Sequence, residues 1–556
     1  MDNAKVKELV NKRFNSLVQE YKNWQSAHKD LSTYLNPTRG QFSVNSTRGT
    51  MIDHQILLDD HATHDIRILA SGMQSGMTSP ARPWFRLNIG DKTLNKLPNV
   101  RMWLDDTAER IFDVCANSNV YDVFFSIYEE LGQFGTGCAI ILEDYDKVVR
   151  LRNFTAGEYF IACDSRGVVN TFGREFILTV NQCVDMFGVD NCSMTVQGYY
   201  KNNQMDVKVT VRHIIEPNDK ADQNYIDNMN MPFRSLYWET GTDDNKFLDT
   251  TGFFEFPIIA PRWDTVTTST VYGYGPGWFA LGNVKQLQKT VLDKLLAQEK
   301  IHNPPMQEDS SVEGHSNYLP GGKTKVSSSA PNTGVRPAYQ IDAQIQSFIE
   351  SINGLKEAID KSFYTNVFLM LINLDKSNMT ATEVARREQE NIMMMGPLLN
   401  RVNSEMLSVF LERLYGIMER NMMFLPAPEE IADMSIKIEF VSILAQAQKA
   451  VGAVSIDRTV ERIGGMAGLN PAVIDVFNFD EAVREYADME GVPANLIVDP
   501  KVVKQIREQR AQAQQMQTNL ALANQGADTA QKLSNAKTSE ESALTGVMSM
   551  VPGMNK

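Results

Sequence analysis

Histidine and cysteine are scarce in this chain, with seven and five residues in 556. The cysteines (Cys115, Cys138, Cys163, Cys183 and Cys192) are odd in number and form no Cys-x-x-Cys pair, a pattern that fits reduced thiols in a cytosolic assembly compartment. None has an evident histidine partner, and no Gly-x-Ser-x-Gly elbow occurs, so nucleophilic catalysis has no visible seat. Long hydrophobic runs are missing too. No stretch approaches the ~18 apolar residues of a membrane span, and nothing at the start resembles a signal peptide. Positive charge is also short. Fifty-four Lys and Arg stand against 68 Asp and Glu, a net charge of −14. That argues against a broad basic grip on nucleic acid, but not against a wall past which DNA slides.

What is present is an ordinary globular composition, 43% hydrophobic and 22% charged, in a chain long enough for several domains. The chain opens with an amphipathic helix carrying Val6, Leu9, Val10, Phe14, Leu17, Val18, Tyr21 and Trp24 on one face. Residues 1 to about 130 read as mainly helical, apart from a strand starting at Trp84 after the Pro80/Pro83 break. From Gly137 the period falls to two. Strands at 138–142 and 148–151 flank an acidic turn, and more strands follow to about 262. This predicts an α+β, multi-domain protein.

Residues 278–421 carry the most informative pattern. A helical run at 278–300 leads into about forty turn-rich residues, including Asn303, Pro304, Pro305, Tyr318, Lys323, Lys325 and Arg336, read as short strands between turns. A second helix is expected over 341–371, about 46 Å long at 1.5 Å per residue. A polar break at 373–378 then supplies Asn373, Asp375, Lys376, Ser377 and Asn378. The third helix opens on a Thr380/Glu383 capping box and should kink at Gly396-Pro397, where proline lacks an N–H. A further strand is expected at 436–440, then short helices. A Gln/Ala-rich helix should follow at 501–523, and after it a polar tail.

Four local patterns suggest chemistry, and each has a plainer reading. Gly321-Gly322-Lys323-Thr324 resembles the end of a phosphate loop, but Asn317 stands where the loop's first glycine belongs. Asp59, Asp60, His61, His64 and Asp65 could hold a metal, yet acids there also suit a helix start. Gly132, Gly135 and Gly137 fall where a helix ends, as a C-cap turn would require. Glu143, Asp144, Asp146 and Lys147 have the spacing of a solvated hairpin turn. No catalytic residue, metal or cofactor is expected.

Several segments, taken in order and spacing, resemble the head-to-tail connector, or portal protein, of T7-like short-tailed bacteriophages. They are Arg67-Ile68-Leu69-Ala70-Ser71-Gly72-Met73, residues 79–87, Phe256-Pro257-Ile258 to Trp263, and Tyr272-Gly273-Tyr274-Gly275-Pro276-Gly277. Residues 287–300 with Asn303-Pro304-Pro305, Met379-Thr380-Ala381-Thr382-Glu383-Val384, and residues 440–448 complete the set. The resemblance covers most of the chain and is weakest after about residue 525. It implies a portal fold with a wing (1–275), stem helices (276–300 and 341–371) and a clip (301–340). It further implies a tunnel loop (372–379), a long kinked helix (380–435), a helical crown (436–525) and a mobile tail (526–556). It implies no enzyme, but a virion component assembled in the host cytoplasm. This would be a dodecameric ring at one capsid vertex, meeting the major capsid protein and scaffold, the terminase ATPase, tail adaptor and internal core proteins, and passing double-stranded DNA. No membrane is involved. An enzyme of phage DNA metabolism and a coiled-coil scaffold remain as alternatives. The first would need a clustered acid/base or phosphate site, the second sustained heptads.

Overall fold

The computed structural model describes residues 3–42, 57–91, 94–219, 221, 230–241, 246–267, 269–310, 312–317, 322–327, 334–337, 345–374, 396–431 and 434–441. It also describes 459–460, 462–466, 476–483, 498 and 502–518. The chain divides into two compact units, Met1–Ile474 and Asp475–Lys556.

The first unit opens with α1 (Asn3–Tyr34). Val10, Phe14, Leu17 and Tyr21 recur at three and four and are buried. Leu9 was expected on the same face but is 58% exposed. It is one residue from Val10, which turns it off the stripe. Next come α2 (His61–Met77), β1 (Phe85–Ile89), α3 (Pro98–Asn117) and α4 (Val120–Phe134). Strands β2 (Cys138–Asp144) and β3 (Val148–Phe154) form the hairpin the alternation predicts. At its turn Asp144 accepts from the N–H groups of Asp146 and Lys147, as a solvated turn should.

Strands β4 (Tyr159–Cys163) and β5 (Val169–Thr179) are followed by two helices that the strand-only reading of this region overlooked, α5 (Val180–Phe187) and α6 (Met194–Lys201). The signal was present. Thr179 and Gln182 form a capping box at the start of α5. Strands β6 (Lys208–Pro217), β7 (Phe233–Glu239) and β8 (Asp249–Phe253) complete a five-stranded antiparallel sheet ordered β4-β5-β6-β7-β8. Phe14 of α1 packs on this sheet, edge-on to Trp238. Strand β9 (Ile258–Ile259) joins the other side of β2.

Helix α7 (Pro276–His302) covers the predicted 278–300 run. The turn-rich segment after it does hold short strands. Among its described residues β10 (Met306–Glu308) pairs with β13 (Val335–Pro337), and β11 (Val312–Glu313) with β12 (Lys325–Val326). The expected single helix over 341–371 is instead two, α8 (Ile345–Ser362) and α9 (Thr365–Leu374). Between them Tyr364 adopts φ 54°. Residues 375–395 lie outside the described residues, and with them Asp375, Lys376, Ser377, Asn378, Thr380 and Glu383. Asn373 is within α9 and not in a loop. Gly396 and Pro397 begin α10 (Gly396–Val402), so a kink against the carbonyl of Met393 also falls outside the described residues. The irregularity that is described is a π turn, Asn403–Leu407, leading into α11 (Ser408–Arg420).

Strand β14 (Ile436–Phe440) lies where expected but pairs antiparallel with β1, Phe85 opposite Phe440. It therefore packs onto the body through β1. The main core gathers apolar faces of α2, α4, α7, α8, α9, α10 and α11, among them Leu69, Phe124, Leu131, Leu287, Phe363, Phe368, Leu399 and Phe410. In the second unit, Arg507 makes a two-pronged ion pair with Asp480, at 2.6 and 2.7 Å.

Candidate functional site

The most distinctive surface is built on α7. Its start is fixed by backbone packed on backbone. Gly135 ends α4 in the left-handed conformation, as the C-cap reading predicted, and its N–H bonds to the Leu131 carbonyl. The run 273–277 lies against that end. A Cβ on Gly275 would sit 2.4 Å from the Leu131 oxygen, and one on Gly277 2.4 Å from the Gln133 oxygen. Only glycine permits this approach. The indole N–H of Trp278 donates to the Phe134 carbonyl at 2.8 Å.

From this anchor Ala280, Val284, Leu287 and Val291 run into the core at helical spacing. After Val291 the apolar character continues while the burial stops. Leu292, Leu295 and Leu296 are 38, 46 and 42% exposed, and Ile301 and the α8 residue Ile349 are also exposed. Among the described residues these side chains form a partly uncovered apolar stripe, the kind of face that a protein–protein contact covers.

Helix α8 packs on α7 and is tied to the body by polar contacts at its far end. Gln288 of α7 accepts from the N–H groups of Leu58 and Asp59 and donates to the Asp59 carbonyl. Lys356 pairs with Asp59 at 2.8 Å, and His61 Nε2 lies 2.9 Å from Asp360 Oδ1. About one turn past Asp360 the chain bends at Tyr364, whose ring stacks on Trp263. Beyond the bend Phe368 is pressed onto α2. A Cβ on Gly72 would lie 2.4 Å from Phe368 Cβ, so Gly72 is the groove that admits α9.

A second joint holds α10 and α11 to the strands. Arg262, just past β9, is buried and meets Glu405 of the π turn through its backbone N–H (3.0 Å), Nε (3.1 Å) and Nη2 (2.6 Å). Its remaining donors reach the carbonyls of Gly167 and Thr270. Burial works against the guanidinium charge, but the Glu405 carboxylate holds its pKa above the ordinary value. Glu255 similarly bridges Arg413 and Arg420 of α11, at 2.7 and 2.6 Å.

Of the residues singled out from sequence, Asn303 ends α7, its N–H bonded to the Glu299 carbonyl, and Pro304-Pro305 lead into β10. Lys323, Lys325 and Arg336 are exposed, and Tyr318 lies outside the described residues. Asp60 and His61 do begin α2, with Asp59 Oδ1 accepting from the His61 N–H. Sequence reasoning missed Tyr364, Arg262, Glu405 and Asp360. Tyr364 hides in an apolar period that runs on through Ile359, Phe363 and Val367. The charged residues carry no local signal, because their partners are distant in the chain.

The family model described as "Bacteriophage head to tail connecting protein" matches residues 7–498. The chain is 41% identical to the "Probable portal protein" of Bordetella phage BPP-1, over 97% of this chain and 98% of that one. It is 36% identical to the "Portal protein" of Salmonella phage epsilon15, again over 97% and 98%. Among solved structures, a chain from the virion of a native gene transfer agent particle matches at TM-score 0.36 and 11% identity. That match covers 78% of this chain and 90% of that one, a likeness too low to carry an argument.

Proposed function

This chain belongs to the bacteriophage head-to-tail connecting proteins and is a phage portal, a virion component; from that premise we propose how its parts divide the work. Copies close into a dodecameric ring at one capsid vertex, and double-stranded DNA enters, is held and leaves through the hole. The observation that carries this is the uncovered stripe Leu292, Leu295 and Leu296 on a helix otherwise anchored in the core. In a closed cyclic assembly each copy covers such a face of its neighbour by a head-to-tail contact. The net charge of −14 suits a wall that lets DNA slide. Native mass measurement and negative-stain images of purified protein should show a ring with a central hole. A stable monomer at micromolar concentration would overturn the reading.

The excursion between α7 and α8 is the docking surface for the terminase ATPase and later for tail adaptor proteins. Its short ribbons expose Lys323, Lys325 and Arg336, and loops between rigid helices vary without disturbing the core. The opposite side meets the major capsid protein, scaffold and internal core proteins, and assembly takes place in the host cytoplasm. Replacing residues 312–332 by a short Gly/Ser linker should leave rings intact and abolish DNA packaging in an in vitro reaction. Packaging at the wild-type level would remove this assignment.

The segment after α9, carrying Asp375, Lys376, Ser377 and Asn378, contacts the passing DNA. Lys376 is the cation among them, and one weak phosphate contact per copy sums around a ring while still permitting sliding. Lys376→Glu should lower DNA retention in filled heads, more at low salt than at high, with ring assembly unchanged. Retention equal to wild type across a salt series would take Lys376 out of the mechanism.

A further inference from the structure

We propose that His61, Asp65 and Asp360 form a binding site for a divalent transition-metal cation of the zinc type, stapling α2 to α8 just before the Tyr364 bend. The three donors come from two elements. His61 and Asp65 are one helical turn apart on α2 and share a face, and Asp360 reaches them from α8. His61 Nε2 is 2.9 Å from Asp360 Oδ1 and 3.6 Å from Asp65 Oδ2, and the donor atoms of all three residues lie within 4.8 Å of one another. A tetrahedral cation with bonds of about 2.0–2.1 Å places its ligands roughly 3.3–3.4 Å apart, and the two His61 distances bracket that spacing. A small adjustment, opening the Asp360 distance and closing the Asp65 one, brings the two carboxylates and the imidazole to ligand spacing.

The observation that sets this cluster apart from ordinary surface acids is Asp65. Its side chain is only 1% exposed, and its Oδ2 makes no hydrogen bond although it faces the imidazole, with the Asp360 carboxyl and the Thr365 hydroxyl beside the same carboxyl group. An unsatisfied buried carboxylate oxygen is costly, and a metal bond would satisfy it. His61 and Asp360 are 24 and 32% exposed, so a cation can enter from solvent and a water can complete the shell. One imidazole with two carboxylates suits Zn²⁺ or Mn²⁺ better than the hard Mg²⁺ and Ca²⁺, which prefer all-oxygen sites.

The surrounding charge agrees. Lys356 is the nearby cation, and it is engaged with Asp59 at 2.8 Å. Two carboxylates this close repel one another, and a divalent cation held between them would relieve that repulsion.

The test uses the full-length protein in whatever assembly it forms, stripped with a chelator and dialysed. Calorimetric titration with Zn²⁺ should show one ion per chain, confirmed by elemental analysis. Asp360→Asn and His61→Gln should each weaken binding at least tenfold, and millimolar Mg²⁺ should not compete. Asp360 is partly exposed and Asn keeps its shape, so that variant should fold. Cys183→Ser serves as the control, because the Cys183 and Cys192 sulfurs lie 3.8 Å apart and could bind zinc themselves. No zinc uptake would mean that the cluster is an ordinary polar contact between α2 and α8 and would overturn the proposal. So would uptake that survives both α2/α8 variants and disappears with Cys183→Ser.

Discussion

Glutamate at both Leu295 and Leu296 is expected to leave the chain folded and to abolish ring formation. Within one chain these side chains are 46 and 42% exposed, so the change removes little of the chain's own core. In an assembly they would be covered. Burying a leucine side chain contributes about 1.5–3 kcal/mol, so each contact between neighbours would lose several kcal/mol even before a carboxylate is taken out of water. Every contact around a cyclic ring is the same contact, and the loss recurs at each one. Native mass measurement should show monomers or short open oligomers where wild type gives rings, with the far-UV circular dichroism unchanged. Rings as abundant as in wild type would show that this stripe is not the subunit contact.

Glu405→Ala should produce the largest loss of stability of any single charge removal described here. It strips the buried Arg262 of three contacts at once, two from the guanidinium through Nε and Nη2 and one from the backbone N–H. Breaking a buried pair from one side leaves an uncompensated charge and costs roughly 3–5 kcal/mol; with Glu405 partly exposed, about 3 kcal/mol is expected. Arg262→Met combined with Glu405→Leu should recover much of that loss, because the cost lies in the orphaned charge and not in the missing attraction. Urea unfolding in the ring-deficient leucine-to-glutamate background separates chain stability from assembly. A midpoint within error of that background for Glu405→Ala would show that the Arg262 carbonyl partners suffice to hold the joint.

Both joints illustrate which features were legible in the sequence. Strands β1 and β14 could each be read from alternation, as could the hairpin β2–β3. The helix α7 was legible as a helical run at 278–300, but the exposure of its leucines was not, because it depends on which faces the fold covers. The glycines at 135 and 273–277 were visible as turn signals, but not as the place where α7 is seated on α4. The bend at Tyr364 was invisible because the apolar spacing of Ile359, Phe363 and Val367 runs straight through it. A left-handed tyrosine is unfavourable by itself. Here the Trp263 stack and the fit of Phe368 over Gly72 hold it in place.

The sequence by itself determined the α+β character, most element positions, the turn-rich excursion between two helices, and, by resemblance, the connector family. Those are properties of short windows and of their order, and local periodicity and composition record them. The tertiary structure alone decided that β14 closes on β1, that Glu405 meets Arg262, and that Asp360 joins His61 and Asp65. Each of these contacts links residues at least 143 positions apart. A charged side chain gives no sign in its own neighbourhood of the partner it will meet, because burial and electrostatic pairing depend on which faces the fold brings together.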